Sequence, residues 1–231
     1  MWDDIGFVIA SYLFGALPHL HLLGRLRGLN PEGDLHIYLW RKGGRLLGTM
    51  GILGDVAKGV LIVLTGRLLD LDISTIAIAG LAVVSGQMWP LFSKFDGGKG
   101  NTTGIGMVAT LTPIPFLIAI IPMITGLLIR TIPRMLNSEQ SLNERLKLGG
   151  PPSLSFPLGM AIRFLVLPFD SSWLGEPPIV TWCYLALFIV IIARRITSGL
   201  KADLEEGQNA KDILINRILY DRSKILDVKS S

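Results

Sequence analysis

Long apolar stretches separated by short charged loops dominate this chain. Residues 5–24 carry no formal charge and are long enough to cross about 30 Å of hydrocarbon as a helix. Five further apolar blocks contain at most two charges each; they cover residues 46–66, 73–93, 100–129, 148–169 and 177–193. The pattern predicts an all-α, polytopic integral membrane protein.

The positions of the basic residues restrict the number of crossings. Arginines and lysines concentrate after the first, fourth and last blocks, whereas only Asp170 and Glu176 are charged between the last two blocks. With six simple crossings the last two basic segments would lie outside the cell, against the positive-inside rule. One additional crossing places every basic loop in the cytoplasm, and therefore about seven membrane helices are expected.

A proline-rich break in the fourth block supplies that additional crossing. The sequence Thr112-Pro113-Ile114-Pro115 interrupts thirty uncharged residues, and proline disfavours helix in the residue before it. We therefore predict a short helix over about 101–112 and a longer one over about 115–132. The resulting layout has its N-terminus outside and its C-terminus in the cytoplasm, in the plasma membrane. One tilted helix with a proline kink is the alternative.

Composition supports the membrane interpretation and suggests a division of the chain. Half of the 231 residues are hydrophobic, 17% are charged and the mean hydropathy is +0.51, whereas soluble domains carry about 25% charged residues. We expect a membrane domain over residues 1–200. The remaining residues, 201–231, are predicted to form a cytoplasmic tail with an amphipathic helix near 210–226.

A glycine-rich turn after the third block has the chemistry of a phosphate site. Glycines allow the backbone to approach an anion, a helix N-terminus adds partial positive charge, and lysine adds a full charge. The candidate residues are Gly97, Gly98, Lys99, Gly100, Thr102 and Thr103. The spacing is not that of a Walker A loop, which requires serine or threonine where Gly100 stands.

Charged residues inside the membrane blocks are further candidates. Asp55 and Lys58 lie three residues apart, share a helix face and could pair. Intramembrane charges commonly mark a site, although a structural ion pair between helices is the alternative. Arg41 precedes the second block, where a positive-inside signal is its ordinary interpretation. Arg163, in the fifth block, could snorkel or line the same cavity.

The sequence contains no recognisable nucleophilic machinery. No serine lies in a nucleophile-elbow pattern, and no histidine lies near a suitable aspartate along the chain. The single Cys183 and three histidines are too few for a convincing metal site. Any reaction must therefore use an activated substrate, for which the protein supplies positioning and charge stabilisation.

Read in order, several motifs resemble one family. They are SYLFGALP at 11–18, LRG at 26–28, GGR at 43–45, DVAKG at 55–59, GQMWPLF at 86–92 and FDGGKG at 95–100. Together they are similar to the bacterial acyl-phosphate:glycerol-3-phosphate acyltransferases, PlsY, over about residues 5–195. That family also has seven crossings and a broken helix after the last of these motifs.

The resemblance implies the first acylation of phospholipid synthesis. A fatty acyl phosphate transfers its acyl chain to the sn-1 hydroxyl of glycerol 3-phosphate, with no metal, cofactor or nucleic acid involved. The implied partners are acyl phosphate, glycerol 3-phosphate and membrane lipid. By position in the family motifs, Lys99, Arg41 and Ser153 are the expected catalytic residues. Lys99 and Thr103 would hold phosphate oxygens.

Three segments depart from the family pattern. The small polar motif of the first cytoplasmic loop is replaced over residues 31–38, Gln87 stands in place of a histidine, and residues 193–200 lack the family's final histidine and asparagine. An alternative hypothesis is therefore a non-catalytic or repurposed paralogue that binds a lipid or phosphorylated ligand. A small transporter is a third hypothesis, suggested by the broken helix and the intramembrane charges.

Overall fold

The computed structural model describes residues 2–29, 35–137, 154–205 and 209–221. Within these ranges the regular structure is helical. The α-helices are α1 Trp2–Gly15, α2 His19–Arg25, α3 Leu35–Lys42, α4 Gly44–Leu68, α5 Ile73–Met88, α6 Asn101–Leu111, α7 Pro113–Ala119, α8 Ile121–Leu136, α9 Ser155–Trp173, α10 Pro178–Thr197, α11 Leu200–Glu205 and α12 Ala210–Tyr220. A single 3₁₀ turn, Leu91–Ser93, follows α5.

The predicted break in the fourth apolar block is present. Helix α6 ends at Leu111, and Thr112 has non-helical angles (φ −138°, ψ 86°). Pro113 then opens α7, at a position where its missing N–H costs no helical hydrogen bond. The apolar run is therefore divided into an eleven-residue helix and the α7–α8 segment, because the proline pair prevents helix from continuing through residue 112.

Within the described residues, five helical segments are long and apolar enough to cross a membrane. They are Trp2–Arg25, Gly44–Leu68, Ile73–Ser93, Pro113–Leu136 and Pro178–Thr197. Helix α9 packs between α8 and α10, and the short α6 packs against α4. The seven-crossing arrangement also requires α6 and α9 as membrane helices, and it remains a prediction.

Glycines allow the helices of the bundle to approach closely. A Cβ atom added at Gly15 of α1 would lie 2.1 Å from the carbonyl oxygen of Val83 in α5. One added at Gly106 of α6 would lie 2.0 Å from the carbonyl oxygen of Val56 in α4. Small residues at such contacts are typical of membrane helix packing, where close backbone approach replaces the hydrophobic effect between helices. The α4–α6 contact positions the glycine-rich turn, because that turn leads directly into α6.

Gly106→Ala is expected to destabilise the bundle. The added methyl group meets backbone atoms of α4, which cannot rotate away, so the two helices must separate. Overpacking of this kind costs about 1–3 kcal/mol, and the midpoint of thermal unfolding in detergent should fall. Gly6→Ala is the control, since a Cβ at Gly6 meets no atom within 4 Å. Equal midpoints for the two variants would show that the α4–α6 contact does not limit stability.

The C-terminal helix is docked on the bundle. Ile213 of α12 is fully buried, and Arg217 is buried with its guanidinium directed at the carbonyl oxygens of Ile196 and Ser198 and the carboxylate of Asp203. The predicted amphipathic helix is thus present up to residue 220, and residues 222–226 lie outside the described part. The division into a membrane domain and a tail at residue 200 stays a prediction.

Candidate functional site

The glycine-rich turn is folded back onto the end of α5. The amide of Gly97 donates to the carbonyl of Met88 (3.2 Å), and the amide of Gly98 donates to the carbonyl of Gln87 (3.0 Å). A Cβ on Gly97 would lie 2.2 Å from that same Gln87 oxygen. Glycine is therefore required at position 97 for close packing against α5. The amides of both glycines are used by these contacts within the protein.

Arg194, in the last turn of α10, holds the other side of this turn. Its Nη2 donates to the carbonyl of Gly97 (2.7 Å) and to Oδ1 of Asp96 (2.6 Å), and its Nε donates to the carbonyl of Gly98 (3.2 Å). The Arg194 side chain is buried. In the sequence, the two arginines at the end of this span indicate only the orientation of the membrane helices, and no short-range pattern predicts this contact.

The turn ends in the N-terminus of α6, where the backbone can bind an anion. Gly100 precedes the helix in the left-handed conformation (φ 74°), which glycine adopts without strain. The first amides of α6 have no carbonyl partner within their own helix, and the helix dipole directs partial positive charge toward this end. Thr103 is fully buried, and its Oγ1 has no hydrogen-bond partner among the described residues.

Lys99 extends toward the C-terminal helix. Its Nζ lies 3.0 Å from Oδ2 of Asp221, and it also donates to the Asp221 main-chain carbonyl at 3.0 Å. Oδ1 of the same carboxylate lies 3.0 Å from Nε of Arg195. The lysine of the predicted phosphate site is therefore paired with an acidic residue of the tail. Nothing in the sequence pattern indicated this contact.

Asp55 joins three separate segments of the chain. Its carboxylate is fully buried, with Oδ2 lying 2.8 Å from Nε2 of His36 and accepting a hydrogen bond from the hydroxyl of Thr102 (3.2 Å). Oδ1 lies 3.3 Å from Nε2 of His19. The sequence-based statement that no histidine lies near a suitable aspartate is thus wrong in three dimensions. Helix packing brings together residues that are far apart along the chain.

Lys58 does not form the expected ion pair with Asp55. Its Nζ donates to the carbonyls of Gly15 and Leu17, both at 2.8 Å, where α1 ends before Pro18. None of the ion pairs found within the described ranges joins Lys58 to Asp55. The shared helix face allowed such a pair. The carbonyls of Gly15 and Leu17, at the break between α1 and α2, instead accept from the ammonium.

A small pocket that is open to solvent lies between the α1–α2 break and the glycine-rich turn. Four of the predicted site residues line it: Asp55, Lys58, Gly97 and Gly98. His19 and Gln87 also line it, and sequence analysis had not assigned either of them to the site. The structure thus places Asp55 and Lys58 beside the glycine-rich turn.

Neither Lys99 nor Arg41, two of the three predicted catalytic residues, is part of this lining. Arg41 is exposed in the last turn of α3, and Ser153 lies outside the described residues. Arg163 is buried elsewhere, among apolar side chains of α6, α7 and α9, and its guanidinium carbon lies 4.1 Å from the centre of the Phe164 ring. Across the described ranges, no three His, Cys, Asp or Glu side chains are grouped to hold a metal ion.

Comparison with known proteins identifies the family of this chain. The family described as glycerol-3-phosphate acyltransferase matches residues 5–200. This chain belongs to the glycerol-3-phosphate acyltransferase family. The matched region includes α1 to α10 and ends where α11 begins, so the docked helix α12 lies beyond it.

Individual relatives agree with this membership. Glycerol-3-phosphate acyltransferase 4 of Dehalococcoides mccartyi strain CBDB1 is 28% identical over 224 residues, which cover 92% of this chain and 86% of the relative. The glycerol-3-phosphate acyltransferase of Geotalea daltonii is 33% identical over 127 residues, which cover 52% of this chain and 64% of that protein.

Solved structures establish the fold. Crystal structures of PlsY (YgiH), an integral membrane glycerol 3-phosphate acyltransferase, match with a TM-score of 0.66 and 20% identity. The lysophosphatidic acid form covers 90% of this chain and 94% of its own length, and the glycerol 3-phosphate form covers 89% and 93%. The predictions of the family, of a multi-pass all-α membrane fold and of a membrane glycerol-3-phosphate acyltransferase are therefore confirmed.

Proposed function

We propose that the chain transfers a fatty acyl group from acyl phosphate to the sn-1 hydroxyl of glycerol 3-phosphate. The product is lysophosphatidate, and the reaction is the first step of phospholipid synthesis. One observation carries the assignment of the site: the glycine-rich turn, clamped by Arg194 and followed by α6, lies beside the pocket that contains Asp55 and Lys58. The PlsY crystal structures described in lysophosphatidic acid and glycerol 3-phosphate forms support glycerol 3-phosphate as the acceptor and lysophosphatidate as the product.

Phosphate is proposed to bind at the beginning of α6. The amides of Gly97 and Gly98 already donate within the protein, so the proposed donors are the first amides of α6, the Thr103 hydroxyl and the Lys99 ammonium, which also contacts Asp221. Gly100 allows the backbone to turn into the helix at this point. These donors neutralise the charge that develops on the phosphate as it leaves, which is where electrostatic catalysis acts.

The chemistry requires only one bond exchange. The sn-1 hydroxyl oxygen forms a bond to the acyl carbonyl carbon, and the bond between that carbon and the bridging phosphate oxygen breaks. The hydroxyl proton leaves with the released phosphate, so that atoms and charge balance. Because the acyl phosphate is already activated, the protein must align the two substrates and stabilise charge.

The remaining residues are proposed to shape the acceptor side. Lys58 holds the end of α1 and Asp55 holds the histidines and Thr102, so both fix the walls of the pocket. Arg41 and Ser153 keep the roles that the family motifs assign to them. The acyl chain is expected to lie along the apolar, lipid-facing bundle.

The orientation follows from the charge distribution. We propose that the N-terminus lies outside, and that the glycine-rich turn, the end of α10 and the tail face the cytoplasm. The contact between Arg194 and Gly97 supports placing the turn and the end of α10 at the same membrane face. Basic residues flank these segments, as expected for cytoplasmic loops of a plasma-membrane protein.

The direct test is acyl transfer by the purified protein. Detergent-solubilised wild type is expected to convert acyl phosphate and radiolabelled glycerol 3-phosphate into labelled lysophosphatidate with release of inorganic phosphate. Alternative phosphorylated acceptors in parallel reactions would define the acceptor. A folded preparation whose thermal stability increases with these ligands, but which transfers no acyl group, would instead support the non-catalytic, ligand-binding alternative.

A further inference from the structure

One carboxylate of the tail bridges two cations of the bundle. Asp221 directly follows α12, and its two side-chain oxygens each lie 3.0 Å from a basic nitrogen, Nζ of Lys99 and Nε of Arg195. The cations come from the glycine-rich turn and from the end of α10. Lys99 belongs to the site that is proposed to receive a phosphate group, and the Asp221 carboxylate links Arg195 to it.

Arg195 is held in place independently of Asp221. Its Nη2 donates to the carbonyl of Pro157 in α9 (2.9 Å), and its side chain is only 6% exposed. A buried guanidinium requires an anionic or strongly hydrogen-bonding partner, because an uncompensated buried charge is costly. Arg195 therefore provides a second fixed cation beside Lys99.

A carboxylate held in this way resembles part of a bound phosphate. Both groups can place two anionic oxygens close to two cations, and guanidinium groups pair with carboxylates and phosphates alike. Asp221 thus marks the position of an anion between Lys99 and Arg195. Asp221 follows α12 and lies beyond the matched family region, which ends at residue 200.

We propose that Lys99 and Arg195 form one binding site for a substrate phosphate group, in which the Asp221 carboxylate is an internal substitute that the phosphate displaces. The inference rests on the proposed function and adds two elements to it. Arg195 becomes a phosphate-binding residue, and the tail becomes a competitor that lowers phosphate affinity.

The exchange does not require the tail to unfold. Helix α12 is held by Ile213 and by the contacts of Arg217 with Ser198 and Asp203, which do not involve the Asp221 carboxylate. Asp221 lies after the helix in the left-handed conformation (φ 58°). Movement at this position can release the carboxylate while α12 remains docked.

The experiment compares Asp221→Asn and Arg195→Gln in the full-length protein. Asparagine adopts the left-handed conformation readily, so the first variant removes the charge and keeps the backbone. Asp212→Asn is the matched control, because Asp212 is an exposed acidic residue of the same helix. The probe is inorganic phosphate, and the readout is its half-saturating concentration for thermal stabilisation of the detergent-purified protein.

Opposite shifts are expected for the two variants. Asp221→Asn should lower the half-saturating phosphate concentration by about threefold or more, because the variant lacks the carboxylate that competes with phosphate for Lys99 and Arg195. Arg195→Gln should raise it by a similar factor, and Asp212→Asn should leave it unchanged. If Asp221 and Arg195 only anchored the tail, the two variants would shift phosphate binding in the same direction or not at all, and the proposal would be overturned.

Steady-state kinetics identify the phosphate that uses the site. If the phosphate of acyl phosphate displaces the carboxylate, KM for acyl phosphate should fall in Asp221→Asn. If the phosphate of glycerol 3-phosphate displaces it, KM for glycerol 3-phosphate should fall instead. Unchanged KM values for both substrates in an active enzyme would refute displacement by substrate. If the wild type binds phosphate with the expected shifts but transfers no acyl group, the proposed function fails while the Lys99–Arg195 anion site stands.

Discussion

Lys99→Gln is expected to lower kcat/KM for acyl transfer by a factor of about 100 or more, in line with the loss of one preorganised charge-stabilising donor. Glutamine keeps most of the side-chain length but removes the ammonium that is proposed to face the leaving phosphate. The helix dipole and the first amides of α6 remain, so residual activity is expected. The measurement is release of inorganic phosphate that depends on glycerol 3-phosphate.

Lys94→Gln provides the matched control for this variant. Lys94 lies in the same turn, is exposed, and undergoes the same change of net charge. Its backbone is left-handed (φ 52°), and glutamine meets the same restriction there as lysine does. Retention of activity in Lys94→Gln would show that the effect at position 99 is local. Comparable losses in both variants would mean that the general positive charge of the turn attracts substrate and that Lys99 has no special role.

Arg194→Gln is expected to lower kcat/KM by about 10- to 100-fold, because the turn loses the donors that hold two of its carbonyls. The resulting loosening would misplace Lys99 and the start of α6 without removing any group that touches substrate. The loss should therefore persist at saturating substrate concentrations. Thermal unfolding of the variant, measured beside wild type, would show whether the whole bundle is also weakened.

Asp96→Asn separates the carbonyl contacts of Arg194 from its ion pair. The Asp96 side chain is 82% exposed, and exposed ion pairs contribute little. We therefore expect Asp96→Asn to change kcat/KM by less than about twofold. If this variant were as damaging as Arg194→Gln, the ion pair with Asp96 would be the important contact, and the interpretation of Arg194 as a clamp of the glycine turn would be wrong.

The helices and the break at Thr112 could be predicted from the sequence because they depend on residues that are close together along the chain. Two prolines after Thr112 end one helix and begin another, whatever the rest of the chain does. The apolar blocks likewise predict helices, because backbone groups in hydrocarbon must be satisfied within the segment. The α4 and α5 boundaries therefore lie close to the predicted apolar blocks.

The hydrogen-bond and ion-pair partners of the charged residues could not be predicted from the sequence. The pairing of Asp55 with Lys58 followed from helix periodicity, yet Lys58 binds the carbonyls at the end of α1. Asp55 instead contacts His19 and His36, which belong to two other helices. Periodicity specifies which residues share a face of one helix, whereas the choice among competing partners depends on which other helices approach that face.

The sequence by itself determined the membrane character, the helical class, the position of the broken helix and the family, because these depend on composition, local backbone constraints and motif order. Tertiary structure alone decided how the site is assembled. It placed Arg194 against the glycine turn and Asp221 between Lys99 and Arg195. Arg194 and Gly97 are 97 positions apart along the chain, and Lys99 and Asp221 are 122 positions apart. Such contacts depend on how helices pack, and no short-range pattern in the sequence encodes them.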